Sequence, residues 1–284
     1  MITCKLMGGL GNQLFQIFAT ISYAIDNNCS FFLKNDQVLH ENENTTTRYT
    51  YWNSFLKKLT PYLSNSDGFT QLYREPSFRY SKINKVVHHN EILLLYGYFQ
   101  SPMYFHHNVS NILSLLNIPE LKKTIHNLVV SEYITTEFLS KAVSLHFRMG
   151  DYKKLQDYHP LATIDYYKNS IKYICDKVDF TPNILYFCED QDITEVNIMI
   201  DVLQSEFPHV EFKRACNKLV DWHQLLLMSL CKHNIIANSS FSWWGAYFND
   251  NPEKIVCYPS VWFGKNVEHN VVDLFPSRWV KINV

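Results

Sequence analysis

Short apolar runs alternate with segments of helical period along this chain, and the alternation starts afresh near residue 140. In the first series, residues 2–7 read as a strand, Gly8–Gly11 as a turn, and Asn12 to about Asp26 as a helix. Leu14, Phe15, Phe18, Ile21 and Ile25 form the apolar side of that helix, and Cys29–Leu33 reads as the next strand. Leu93–Phe99 is a buried-strand pattern, followed by helical patterns around Tyr104–Leu116 and Pro119–Tyr133. The second series predicts strands at Ala142–Phe147, Ile184–Cys188, Val210–Phe212, Asn234–Ala237 and Ile255–Tyr258. Between them lie helices at Thr163–Val178, Ile193–Glu206 and Leu219–Cys231, and a helix start at Trp243–Phe248. Strand–turn–helix–strand units build doubly wound α/β domains. The chain is 284 residues long, enough for about two domains of ordinary size. The expected division is 1–138 and 139–284. Residues 34–92 are polar, rich in Asn and Tyr, and show no readable period.

Lys and Arg number 26 against 27 Asp and Glu, a formal net charge of −1. That balance argues against bulk electrostatic binding to nucleic acid or an anionic membrane, so any phosphate must be held by a local site. Aromatic residues reach 15%, which fits either platforms for sugar faces or an AT-rich coding bias. The seven Cys are odd in number, scattered, and form no CxxC, the pattern of reduced thiols in a cytoplasmic protein. The N-terminus lacks a basic then apolar leader, and no apolar run reaches the roughly 20 residues of a membrane helix. The N-x-S/T triplets at Asn44 and Asn108 are expected to be chance.

Ligands of open α/β sheets bind at the carboxyl ends of strands, and three predicted strand-to-helix turns carry unusual residues. In Gly8-Gly9-Leu10-Gly11-Asn12-Gln13, glycines let a ligand approach the backbone and the helix start suits an anion. Leu14 stands where a dinucleotide fingerprint has its third glycine, so that match is poor; a tight turn with a capped helix is the plainer alternative. In His146-Phe147-Arg148-Met149-Gly150-Asp151, His146 and Arg148 share a strand face, and Arg148 can hold a phosphate through its planar fork. A structural Arg148–Asp151 ion pair is the alternative. In Asn238-Ser239-Ser240-Phe241-Ser242-Trp243-Trp244, hydroxyls at a helix start can cap it or accept a phosphate beside the amides, and the two Trp read as core more readily than as sugar platform. Asp190-Gln191-Asp192 matches a DxD, with helix capping the simpler reading; the pairs His88-His89 and His106-His107 lack metal-ligand spacing. No HExxH, GxSxG or P-loop occurs.

The blocks Gly8–Gln16, Tyr96–Ser101, His146–Tyr152 and Ala237–Ala246, with Leu226–Ile236, Asn251–Ile255 and Trp262-Phe263, resemble the signature segments of α-1,2-fucosyltransferases of glycosyltransferase family 11. The resemblance runs in order over essentially the whole chain. It implies a GT-B-like α/β fold: two Rossmann-like domains facing a cleft, acceptor side first and sugar-nucleotide side second. It implies GDP-L-fucose as donor substrate, a glycan acceptor such as a terminal galactose, inversion, and no cofactor or required metal. By the same resemblance the catalytic block is His146, Arg148 and Asp151, with Arg148 on the diphosphate; an inverting attack also wants a base, for which Asp151 and His146 are the nearest titratable groups and the departing phosphate is the alternative. Donor binding falls to Gly9, Gly11, Asn12, Gln13, Arg148, Glu189, Asp190, Gln224, Asn238, Ser239, Ser240, Phe241 and Ser242. Two positions depart from the family pattern: Met149 replaces a second Arg, and Gln224 stands where many members carry an Asp. Animal members have an N-terminal membrane anchor, and this chain resembles the bacterial or viral soluble forms. A related transferase for another deoxysugar nucleotide, and a catalytically inactive binding module, are the alternatives.

Overall fold

The computed structural model describes residues 1–39, 47–85, 87–88 and 90–283; Asn44 and His89 lie outside them. Contacts divide the chain into two compact units, Met1–Glu120 with His269–Pro276, and Leu121–Glu268 with Ser277–Val284. The division falls ahead of the expected 138/139. The helix across it sends Lys122 into the second unit, where Nζ donates to Phe248 O (3.0 Å) and pairs with Asp250 (2.9 Å).

The first unit opens with β1 (Ile2–Cys4), wholly buried, and α1 (Leu10–Asp26). Gly8 takes φ +72°, and a Cβ there would sit 2.4 Å from Asn12 Nδ2, so this turn requires glycine. The strand expected over 29–33 is reduced to a bridge between Ile2 and Phe31. Then come β2 (Leu33–Lys34), β3 (Val38–Leu39), β4 (Arg48–Tyr49), β5 (Leu63–Ser64), β6 (Gln71–Arg74) and β7 (Leu93–Tyr96). The unreadable stretch 34–92 thus contains strands, but most are two residues long, too short to show a period of two. β1, β7 and β6 form a parallel sheet in that order, with Thr3 opposite Leu94 and Leu94 opposite Leu72. The helical pattern at 104–116 resolves into two 3₁₀ turns and α2 (Val109–Leu115), because Phe105 is not helical (φ −145°).

α3 (Ile118–Glu132) and α4 (Thr136–Ser140) lead into the second unit. There follow β8 (Ala142–His146), α5 (Ile164–Cys175), β9 (Asn183–Phe187), α6 (Ile193–Glu206), β10 (Phe212–Arg214), α7 (Asp221–Leu230), β11 (His233–Ile235), α8 (Ser240–Tyr247), β12 (Val256–Pro259) and β13 (Val280–Ile282). β13 has no counterpart in the sequence pattern. The six strands are all parallel, in the order β10-β9-β8-β11-β12-β13. Numbered within the unit this is 3-2-1-4-5-6, the doubly wound order whose direction of growth reverses between the first and fourth strands. Here those strands are β8 and β11.

Helices cover this sheet, so β8 is buried along its whole length and reads as a near-continuous apolar run. Val143, Leu145, Phe147, Ile171, Ile184 and Leu203 are among the residues of its core. Thr163 Oγ1 caps α5 by accepting from Tyr166 N (3.2 Å). The Tyr166 hydroxyl then ties α5 to the sheet, donating to Ile236 O (2.6 Å) and Cys257 O (3.0 Å). The α/β architecture expected from the sequence is therefore present in both units. Among the described residues, no helix is long and apolar enough to cross a membrane, and all seven cysteines are free thiols.

Candidate active site

β8 and β11 flank the topological switch point, and a crevice outside their carboxyl ends is where a sheet of this order binds its ligand. Two of the three unusual segments leave from these two strands: Phe147–Asp151 after β8 and Ile236–Ser242 after β11. Phe147 N still donates to Phe187 O (2.9 Å), so the ladder persists one residue beyond β8. The chain then turns through Gly150 at φ +37°, whose amide donates to Asp192 Oδ2 (2.8 Å).

Arg148 lies at the centre of this edge with its side chain 18% exposed. One terminal nitrogen is hydrogen-bonded to Asp151 Oδ1 and the other to Glu189 Oε1. The guanidinium also stacks over the Tyr152 ring, 4.7 Å from its centroid. The alternative reading, an Arg148–Asp151 pair, is thus realised, with Glu189 from the exit of β9 as a second partner. Burial works against the charge of Arg148, but Asp151, Tyr152 and Glu189 outweigh it and hold its pKa above the ordinary value. A second tier surrounds the first. Asp190 pairs with Arg214. The fully buried Asp192 pairs with Lys153 (2.9 Å), which also holds Glu195 (2.6 Å). Asp190 and Asp192 are therefore engaged with cations and with Gly150, and Asp192 makes no side-chain capping bond to α6. Among the described residues no three His, Cys, Asp or Glu are grouped to hold a metal ion.

At the second segment, Ser239 Oγ caps α8 by accepting from Phe241 N (3.3 Å). Ser242 is buried and donates to Ser239 O (3.4 Å). Asn238 is buried with Nδ2 on Pro160 O (2.8 Å) and Trp262 O (3.2 Å). Ser240 and Phe241 are the half-buried members of this turn. The segments meet: the His146 and Phe241 rings are 5.8 Å apart, and Tyr152 Oη donates to Asn238 O (3.4 Å). Trp243 and Trp244 are fully buried, so they are core.

The other expected residues divide between support and surface. In the first unit Gln13 is fully buried, its Nε2 on Gly8 O (3.0 Å) and Tyr49 O (2.9 Å), so it braces the glycine turn and does not reach outward. Asn12 is half-buried and accepts from Gln100 Nε2 (2.9 Å). Gly11 is buried in the first turn of α1, whereas a Cβ on Gly9 would meet nothing within 4 Å, the open approach a ligand would need. In the second unit Gln224 lies in the first turns of α7 with Nε2 on Leu219 O (2.9 Å). Met149 packs against the core of this unit. Sequence reasoning missed Tyr152 and Arg214. Tyr152 ends the block His146–Tyr152 and was open to notice; Arg214 has no motif around it and is found only because β10 pairs with β9.

His146 is buried, and that burial, with Arg148 nearby, lowers its pKa to about 3. It is neutral near pH 7 and a weak base there. Burial, with Lys232 nearby, also lowers His233 to about 4, and its Nδ1 accepts from Ile255 N (3.0 Å). Both groups take up a proton in the unfolded chain near the ordinary value of 6.5 but not in the folded one. Stability is therefore full above that value and lost as pH falls toward the folded pKa values. The expected loss is about 1 kcal/mol for each histidine between pH 7 and 5.5. Urea unfolding at the two pH values measures it, and equal or greater stability at pH 5.5 would contradict the assignment.

The family model for glycosyl transferase family 11 matches residues 1–283. An alpha-1,2-colitosyltransferase of Escherichia coli is 29% identical over 312 residues, covering 99% of this chain and 98% of its own. The O-antigen biosynthesis glycosyltransferase WbnK of Escherichia coli is 28% identical over 314 residues, covering 99% of this chain and 100% of its own. Among solved structures, an Arabidopsis thaliana FUT1 mutant in complex with GDP has a TM-score of 0.48 at 10% identity, covering 90% of this chain and 69% of that one. The family match spans nearly every residue, including both segments at the switch point; this protein belongs to glycosyl transferase family 11 and is a glycosyltransferase that acts on glycans with a sugar-nucleotide donor.

Proposed function

We propose that the protein transfers L-fucose from GDP-fucose to the 2-hydroxyl of a terminal galactose, or a related sugar, in a glycan, with inversion and without a metal. The second unit takes the donor and the first serves the acceptor. The observation that carries this reading is the placement of Arg148 and the start of α8 at the two strand ends that flank the switch point. Breaking the bond between the anomeric carbon and GDP puts negative charge on the β-phosphate. A guanidinium and helix-start amides, set in place before reaction, stabilise that charge without reorganising. Asp151 or the departing phosphate accepts the acceptor's proton, since burial makes His146 a weak base and encloses its ring.

A second reading is favoured by a specific pair of observations. Gln224 stands where the resemblance leads one to expect an Asp, and one relative is named for colitose, which is fucose without its 3-hydroxyl. A site built to bond that hydroxyl would reject the sugar lacking it by a factor of about 10⁴. Product mass spectrometry with GDP-fucose, GDP-colitose and UDP-sugars on galactosides separates the readings. Transfer of fucose in preference to colitose is the expected result. Preference for colitose would move the assignment to the second reading, and GDP binding with no transfer to any galactoside would overturn both.

A further inference from the structure

Arg148 has a fork suited to a diphosphate, yet both of its terminal nitrogens are already taken by carboxylates. The ion pairs at this edge join five carboxylates, Asp151, Glu189, Asp190, Asp192 and Glu195, to three cations, Arg148, Lys153 and Arg214, so an arriving diphosphate competes with carboxylates for the guanidinium. The two partners of Arg148 differ in how they are held. Asp151 is three residues away, in the 3₁₀ turn Gly150–Lys154, a local pair on a short side chain. Glu189 comes from the exit of β9, on a longer side chain that is 47% exposed. Its other oxygen accepts from Gln191 Nε2 (2.6 Å), also exposed. The carboxylate lies against Gly150, where a Cβ would come within 2.9 Å of Glu189 Oε1, so the missing side chain makes its seat.

We infer that Glu189 competes with a nucleoside diphosphate for Arg148 and must swing off the guanidinium for one to bind. This rests on the reading that Arg148 receives the donor's diphosphate. It reverses the role expected for Glu189, from a donor contact to a competitor. Glu189 is 47% exposed, so water screens its end of the pair, whereas a charge-assisted bidentate bond to phosphate is strong, so the exchange goes forward when nucleotide is present. Apparent affinity falls by the fraction of molecules in which Glu189 is already displaced. Glu189 therefore weakens the hold on both donor and departing GDP, which favours product release.

Calorimetric titration of the full-length chain with GDP in EDTA tests this. Glu189→Gln keeps the shape and removes the charge, and is expected to tighten GDP about five- to tenfold. Glu195→Gln removes a neighbouring charge that touches Lys153 but not Arg148, and is expected to change the affinity less than about twofold. In an Arg148→Ala background, Glu189→Gln is expected to have no effect, since the pair it breaks is already gone. Unchanged or weaker binding by Glu189→Gln overturns the inference. So does equal tightening by Glu195→Gln, or tightening that persists without Arg148. Failure of the unaltered chain to bind GDP, or full binding by Arg148→Ala, overturns instead the placement of the diphosphate on Arg148, and this inference with it.

Discussion

Arg148→Ala is expected to lose transfer by about 100- to 1000-fold while the second unit stays folded. The loss follows from removing the preorganised donor at the leaving phosphate. The retained fold follows from exposure: the carboxylates left behind, Asp151 and Glu189, are 36% and 47% exposed, so water can solvate them. Arg148→Lys separates charge from geometry. Lysine keeps a cation but lacks the planar fork, so its turnover is expected between that of alanine and that of the native residue. Turnover measured on a galactoside, beside the thermal midpoint by circular dichroism, reads both effects. Near-native turnover in the alanine variant would remove Arg148 from the chemistry and reduce it to the ion pair seen in the structure.

The largest stability effect is expected at Trp243. Its ring is fully buried, stacked on Tyr247 (4.7 Å), edge-on to Trp244 (5.1 Å) and tilted against Trp279 (5.3 Å). Trp243→Ala is expected to cost about 3–5 kcal/mol, the range for emptying a buried aromatic site. The consequence reaches function through α8. The same short helix that buries Trp243 carries Ser239, Ser240 and Phe241 at its start, so a loosened α8 no longer fixes the amides of that turn or the contact of Phe241 with His146. Denaturant unfolding is expected to show a lower midpoint with an unchanged slope. A variant of native stability that lost only glycan binding would instead make Trp243 a sugar platform. Trp243→Phe, which fills part of the space, is expected to recover part of the stability.

Residues whose chemistry is local were legible without a structure. The turn at Gly8, the cap at Ser239 and the block His146–Asp151 each declare themselves within a few residues, because capping, positive φ and strand-end placement act over that distance. The helices α5 and α6 and the strand β8 were legible for a related reason: burial on one or both faces writes a period or a run into the residues. The strands between residues 33 and 74 were not, since two to four residues cannot display a period. β13 was missed likewise; three residues after a long irregular stretch carry no pattern, and only pairing with β12 makes them a strand.

The strand order of the second unit, and with it the meeting of two distant segments, belongs to the tertiary structure alone. Nothing in the residues of β8 says that its neighbours are β9 and β11, because a parallel ladder is made of backbone groups common to every residue. Which side chains face outward at the site was settled in the same way. Gln13, Asn238 and Ser242 have the same donors and acceptors as exposed Gln, Asn and Ser, and only packing turned them inward as braces. Glu189 gives the clearest case. Its carboxylate could be read from the chain, but its hold on Arg148, 41 residues earlier, exists only because β9 lies beside β8. Local chemistry and periodicity are carried by residue types and their spacing; partnership across the sheet is carried by the folded backbone.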